Sequence, residues 1–506
     1  MPSAGHLRAY WLGCIVCIGG FLFGYDSGIV GGVLTLGSFQ NDYQFTKSEK
    51  TRVSSLSVSL QQLGAFVACF IIWPLTDRYG RKKSLMVSAF IFSIGAMIQT
   101  INTRSLAAFY VARVIAGLGL GGASVVVPMY NSEMAPTELR GRMGSFFQWF
   151  YTWGIFTSYW VDYGVKKDYP EISRQWQIPI GLQILFAGLL GLGMFTLKES
   201  TRWLTKVGRH DEAWESLQWI RADSSEKTQD EMEEIRAAVA MEARQTEGFR
   251  LKELLEPTNF KALTVAFCVF MAQQATGATA FAYYGPQYFQ LLVGDDDEKN
   301  LLLTAIFGVI KVVGCGIFVL WFADRFGRRS VLIGGALFMA ACQVTTAAVV
   351  KNIQPPGDGS VTSAGIATVA LIYMFVIAYN FSWGPLPWPY VSEIFTTRIR
   401  DPGVAVGVAS QWLFNFVFSL TTPYMIDDIG WGTFLLWGLF DLVIALGTFF
   451  FLRETAGLSL EEIAHKDLFA GHGAMTSEER AAKGLDVDDE GSKEPRERRK
   501  SAESES

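Results

Sequence analysis

The chain has 506 residues, 50% hydrophobic and only 18% charged, with a formal net charge of −5. Soluble globular chains carry about a quarter charged residues. Here the basic residues are scattered through short loops rather than gathered in an aromatic-interleaved patch, which excludes a nucleic-acid partner. The apolar surplus falls in blocks of roughly 18 to 25 residues, long enough to cross a ~30 Å hydrocarbon core as a helix.

In chain order, the blocks predict spans at 9–32, 54–75, 84–101, 107–129, 143–164 and 177–197. The first reads as an uncleaved helix, long enough to span and lacking a small-residue cleavage site. A charged break follows, with helical spacing of Trp214, Leu217, Ile220, Ile235 and Val239. Six further spans follow at 260–292, 301–323, 330–350, 364–392, 403–424 and 431–452. The predicted organisation is a six-helix unit over 1–197, a linker of short amphipathic helices over 198–259, a second six-helix unit over 260–465 and a disordered, charged tail over 466–506. The fold class is an all-α membrane protein with twelve spanning helices.

All six cysteines, Cys14, Cys17, Cys69, Cys268, Cys315 and Cys342, lie inside apolar blocks and read as packing residues. Gly117-x-Gly119-x-Gly121-Gly122 imitates a dinucleotide loop, but it lies within the fourth span with no strand before it. There, glycines let helices approach closely. The basic run from Arg496 to Lys500 is too slight for a lipid-binding or nuclear signal.

Lys and Arg cluster at the even-numbered exits: Arg78, Arg81, Lys82 and Lys83, then Arg140 and Arg142, Arg325, Arg328 and Arg329, and Arg398 and Arg400. Lys166, Lys167 and Arg174 run against this trend. The balance predicts both termini and the linker on the cytoplasmic side, with the plasma membrane as the expected location. The chain also repeats itself. Asp77-Arg78-Tyr79-Gly80-Arg81-Lys82 returns as Asp324-Arg325-Phe326-Gly327-Arg328-Arg329, Glu133 with Arg140 as Glu393 with Arg400, and Glu199-Ser200 as Glu454-Thr455. Recurrence in the same order predicts two homologous halves around a central site at the midplane.

These motifs resemble the sugar-porter branch of the major facilitator superfamily from about residue 10 to 465. Further matches are Gly24-Tyr25-Asp26, Arg113, Pro128-Met129-Tyr130, Glu133-Met134-Ala135-Pro136, Arg140-Gly141, Glu199 to Leu204, Gln273-Gln274 and Gly384 to Trp388. Within the branch the chain is most similar to fungal quinate and galacturonate permeases. The resemblance implies a monomeric carrier in two pseudo-symmetric bundles. It would take up a sugar or sugar-like acid by alternating access, with protons as coupling ion and no metal or other cofactor. No chemistry is done on the solute, so an enzyme is not expected.

The resemblance also implies roles for residues. Asp77, Arg78, Arg81, Glu133, Arg140 and Glu199, with their repeats Asp324, Arg325, Arg328, Glu393, Arg400 and Glu454, form a charged latch at the cytoplasmic rim, with arginines facing the glutamates. Asp26 lies midway through the first span, where an ionised carboxylate is expensive unless paired or protonated. With Arg113 it forms the proton-coupling pair, the rival being a fixed structural salt bridge. Gln148, Gln273, Gln274, Thr279, Tyr283, Trp388, Gln411 and Asn415 are the solute-binding candidates. Amides both donate to and accept from hydroxyls, and an indole face suits the C–H surface of a ring. Thr279 and Lys311 stand where hexose porters commonly carry Asn. Lys311 is too deep to snorkel; a solute carboxylate would neutralise it, the rival being a partnership with Asp26 or another buried carboxylate. A neutral mono- or disaccharide is the alternative solute. A passive facilitator and a transporter-like receptor are the other classes. Asp26 argues against the former, intact Arg113 and the short tail against the latter.

Overall fold

The computed structural model describes residues 4–454 apart from 47, 137–139, 248–249, 295, 323–326, 353–361 and 396. The first half holds α1 (Ala4–Val33), α2 (Lys50–Tyr79), α3 (Arg81–Thr100), α4 (Leu106–Met134), α5 (Arg140–Asp168) and α6 (Arg174–Gly193). The second holds α7a (Pro257–Ala275) and α7b (Ala278–Val293), α8 (Asp297–Ile317), α9 (Arg328–Asn352), α10a (Ser363–Phe381) and α10b (Pro387–Glu393), α11 (Arg400–Ile429) and α12 (Trp431–Phe451). The spans run a few residues beyond the expected ones because hydropathy cannot register polar helix ends. α8 begins not at 301 but behind Asp296, whose side chain accepts the Lys299 N–H at 3.2 Å.

Two expected single spans are broken. Over 260–292 the helix interrupts at Gly277, whose φ of +79° suits glycine and whose missing Cβ would lie 2.7 Å from the Trp437 ring. Over 364–392 it interrupts between Phe381 and Pro387. Among the described residues eleven helices, with α7 taken whole, are long and apolar enough to cross a membrane. α5 is not among them, although it has 29 residues, because its inward face carries Gln148, Thr152, Ser158 and Asp162. A membrane helix can hold such groups only against protein.

α1 packs along α5 and α2 along α4, while the halves meet through α2 on α11, α5 on α8 and α1 on α7b. The glycine run in α4 forms a packing surface. A Cβ on Gly117 would fall 2.1 Å from the Gln61 carbonyl of α2, and one on Gly119 2.4 Å from the Phe92 nitrogen of α3. Phe90, Leu192 and Val443 point away from the core, as a hydrocarbon solvent allows. Between the halves lie short helices Thr201–Lys206, His210–Arg221 and Glu226–Thr246. The amphipathic pattern expected there holds at Leu217 and Ile220, both buried. Arg221 pairs with Glu231 at 2.6 Å, and Arg8 donates to the Trp219 carbonyl at 2.7 Å. Arg398 ties the linker to the second half through Glu253 at 2.7 Å. Thr455 and the tail over 466–506 lie outside the described residues.

Candidate solute and ion-pair site

Asp26 and Arg113 meet in the interior of the first half. Arg113 Nη1 donates to Asp26 Oδ1 at 2.8 Å, with both side chains essentially inaccessible. The pair is further ordered: Gln61 donates to Asp26 Oδ2, and Arg113 Nε donates to the Ser57 carbonyl at 2.7 Å. Gln99 Oε1 lies 3.4 Å from Arg113 Nη1, while Nη2 has no partner among the described residues. Ser57, Gln61 and Gln99 were not foreseen. The signal that could have found them is a set of polar residues inside apolar spans, the mark of a buried partner.

Next to the pair, a cavity opens between the halves. Of the predicted solute-binding residues it is lined by Gln148, Gln273, Gln274, Thr279, Trp388, Gln411 and Asn415. Three amide carbonyl oxygens, Gln273 Oε1, Gln274 Oε1 and Gln411 Oε1, have no partner among the described residues. A ligand rich in hydroxyls would satisfy them. The two helix breaks shape this wall, because Gln273 Nε2 donates to the Trp383 and Gly384 carbonyls at 2.9 and 3.1 Å, freed where α10 unwinds. Aromatic walls come from Phe23, Phe147, Tyr151 and Tyr379, none of them foreseen. Aromatic residues are common in these spans, so no sequence feature separates the inward-facing ones. Tyr283 is buried just behind the lining and takes a hydrogen bond from Asn415 Nδ2 at 3.2 Å.

Lys311, on α8, is buried with Nζ 5.4 Å from the Tyr151 ring and 5.9 Å from the Tyr379 ring. Both rings line the cavity. Among the described residues it forms no ion pair. It is not paired with Asp26, the rival expectation, whose carboxylate meets Arg113 and Gln61.

At the other end of the helices two charged networks repeat. Arg81 Nη2 meets Glu133 at 2.7 Å and Arg328 Nη2 meets Glu393 at 3.1 Å. Glu199 was expected opposite an arginine side chain. It instead accepts the backbone N–H groups of Arg81 and Lys82 at 2.9 and 3.0 Å. Glu454 likewise accepts those of Arg328 and Arg329, at 2.8 and 3.1 Å. A carboxylate at a helix N-terminus satisfies orphan donors and meets the positive end of the helix dipole. Two further latch candidates make other contacts. Asp77 pairs with Lys206 of the linker at 2.7 Å, and Arg78 lies exposed over Tyr79. Arg400 is half-buried, its Nε without a partner among the described residues. Asp324 and Arg325 lie outside the described residues, as does the side chain of Arg140. Each network ties helix ends within its own half.

With this geometry in hand, comparisons bear on the chain as a whole. The model of the family described as "Sugar (and other) transporter" matches residues 12–466. The chain is 33% identical over 491 residues to a probable quinate permease of Aspergillus clavatus, covering 92% of this chain and 90% of that one. It is 32% identical over 473 residues to the quinate permease of Emericella nidulans, covering 90% and 88%. Among solved structures, the proton:xylose symporter XylE bound to 6-bromo-6-deoxy-D-glucose superposes with a TM-score of 0.75 at 26% identity, covering 91% of this chain and 99% of that one. The inward-open XylE of E. coli gives a TM-score of 0.73 at 25% identity, covering 90% and 99%.

Proposed function

The chain belongs to the sugar (and other) transporter family, and we propose that within it this protein carries a polyhydroxylated carboxylate, of the quinate or galacturonate class, together with a proton. Transport proceeds by alternating access across the plasma membrane, with both termini cytoplasmic and the carrier a monomer. That the protein is a membrane transporter of sugar-like solutes, not an enzyme, follows from the family. The observation that carries the finer reading is Lys311, a buried cation without a carboxylate partner among the described residues, on rings that line a cavity bearing three unpartnered amide oxygens. A solute carboxylate neutralises the cation, and its hydroxyls meet the amides. The quinate permease relatives support that solute class.

Proton coupling rests on Asp26. A proton on this carboxyl cancels its attraction for Arg113 and frees the guanidinium for its other partners in α2 and α3, which loosens the joint between α1 and α4. A neutral sugar is the second reading, supported by the xylose symporter neighbours and by the tyrosine rings, whose faces themselves attract an ammonium.

Energetics separate the two. A monoanion moving with one proton carries no net charge, so only the proton gradient drives it, at about 1.36 kcal/mol per pH unit. A neutral sugar with one proton also responds to membrane potential, worth ~2.3 kcal/mol per 100 mV. The test is uptake of labelled quinate, galacturonate, glucose and xylose in cells lacking native carriers, with current recorded in parallel. Acid uptake that rises as the medium is acidified, without inward current, is expected. Robust glucose uptake with both acids inert would overturn the acid reading.

A further inference from the structure

Asp162 belongs neither to the ion pair nor to the cavity wall. It sits on α5, one turn before Lys166, fully buried, with neither Oδ1 nor Oδ2 hydrogen-bonded among the described residues. It presses on the backbone of α1, where a Cβ added to Gly32 would fall 2.1 Å from Oδ2. Gly32 lies six residues beyond Asp26, ~9 Å along the helix, so the two carboxyls are separate sites.

The groups that face Asp162 are few. Tyr25 of α1 and Tyr159 of its own helix lie close. Their hydroxyls are engaged elsewhere, Tyr25 on the Pro179 carbonyl of α6 at 2.9 Å and Tyr159 on the Ala282 carbonyl of α7b at 2.7 Å. No charged side chain of α1, α6, α7b or α8 pairs with it among the described residues. Lys166, the nearest cation on its own helix, lies 3.7 Å from both Glu171 and Asp297. An isolated ionised carboxylate in such surroundings is far more costly than the neutral acid.

Asp162 is covered by α1 at Gly32, at the helix ends remote from the charged networks, where the two halves also meet. Tyr159 and Lys166, on either side of Asp162, both reach into the second half. At the same end of the helices, across the contact of α2 with α11, Ser55 donates to the Leu420 carbonyl at 2.5 Å, and Tyr284 to the Ser419 carbonyl at 2.7 Å. The proposed topology puts these ends outside. We infer that Asp162 is a proton-operated lock on this outer closure, taking a proton from the external water as α1 and α5 close on α7b and α8 and returning it to the same side when they part. No net proton crosses. The inference rests on alternating access and the proposed orientation, but not on coupling through Asp26. Because the closed form holds one more proton than the open form, external acid favours closure, up to about tenfold per pH unit.

The test uses the full chain in liposomes. Infrared spectra at neutral pH should show protonated carboxyl absorption in the unaltered protein that loses intensity in Asp162→Asn and keeps it in Asp26→Asn, with buried Asp441 contributing equally to all three. In a Ser55→Cys variant, labelling by an impermeant maleimide, corrected at each pH by an unfolded sample, should fall up to about tenfold per unit of external acidification. Adding Asp162→Asn should flatten that dependence, and Asp162→Glu should preserve it. Identical infrared spectra for the unaltered protein and Asp162→Asn would overturn the lock. So would Ser55→Cys labelling that ignores pH, a result that stands even if Asp162→Asn does not fold. Failure of coupling appears separately, as uphill accumulation by Asp26→Asn.

Discussion

The two halves repeat one another in motif and helix order, yet they divide the work. The first half is built of continuous helices around a buried ion pair, Asp26 with Arg113, ordered by Gln61 and the Ser57 carbonyl. The second has two broken helices, α7 and α10, and supplies most of the cavity's amides, Gln273, Gln274, Gln411 and Asn415. The difference teaches how a duplicated fold specialises. A buried ion pair needs rigid helices that keep its donors in register, since breaking it leaves an uncompensated charge, at about 3–5 kcal/mol. A solute wall needs open backbone and unpartnered amides, which helix breaks provide.

The strongest way to break this division is Asp26→Asn. Accumulation of solute should fall to the equilibrium ratio while exchange between labelled and unlabelled solute persists. A mutant that still concentrates solute would remove the coupling role from the first half. Next comes Lys311→Asn in the second half. A charge-assisted contact is worth about 1.5–3 kcal/mol, so affinity for acids should weaken by roughly 10- to 100-fold, with neutral hexoses unaffected or newly admitted. Equal loss for acids and neutral sugars in binding assays would make Lys311 a structural cation.

The charged networks compare the halves directly. Arg81 reaches Glu133 through both Nε and Nη2, at 3.0 and 2.7 Å, with both side chains 9% exposed. Arg328 makes one bond of 3.1 Å to Glu393, at 19% and 23% exposure. Buried pairs are screened less than exposed ones. Arg81→Ala should therefore lower the maximal rate about tenfold, or ~1.4 kcal/mol on the barrier, and Arg328→Ala by only a few-fold. Affinity should be little changed in both. A larger effect from Arg328→Ala would reverse the ranking.

The smallest effect is expected at the strap between linker and second half. Arg398 holds the Glu253 carboxyl below its usual range. A depressed carboxyl contributes above its unfolded value and loses that contribution as pH falls through the folded one, so the pair is intact at neutral pH. The pair is only partly buried and joins the linker rather than the cavity, and Glu253→Gln should change uptake by less than about twofold. A stronger loss would make the linker part of the transport machinery.

Much of the site was legible because burying charge in a bilayer is so unfavourable that each instance stands out. Asp26, Arg113 and Lys311 each interrupt an apolar span, and the repeated loops marked Arg81 and Arg328. Partner choice was less legible. Glu199 and Asp77 carry the right charge for an arginine, but the α3 N-terminus and Lys206 lie nearer in space.

By itself the sequence determined the spans, the duplication and the all-α class, because bilayer thickness sets span length; the amides that line the cavity came from the family resemblance. Only the tertiary structure decided where α7 and α10 break, that Gln61 rather than Lys311 shares Asp26, and which aromatic rings face the cavity. It also left Asp162 without a partner. These depend on which helix faces meet across the halves, and hydropathy along one chain carries no record of neighbours far apart in sequence.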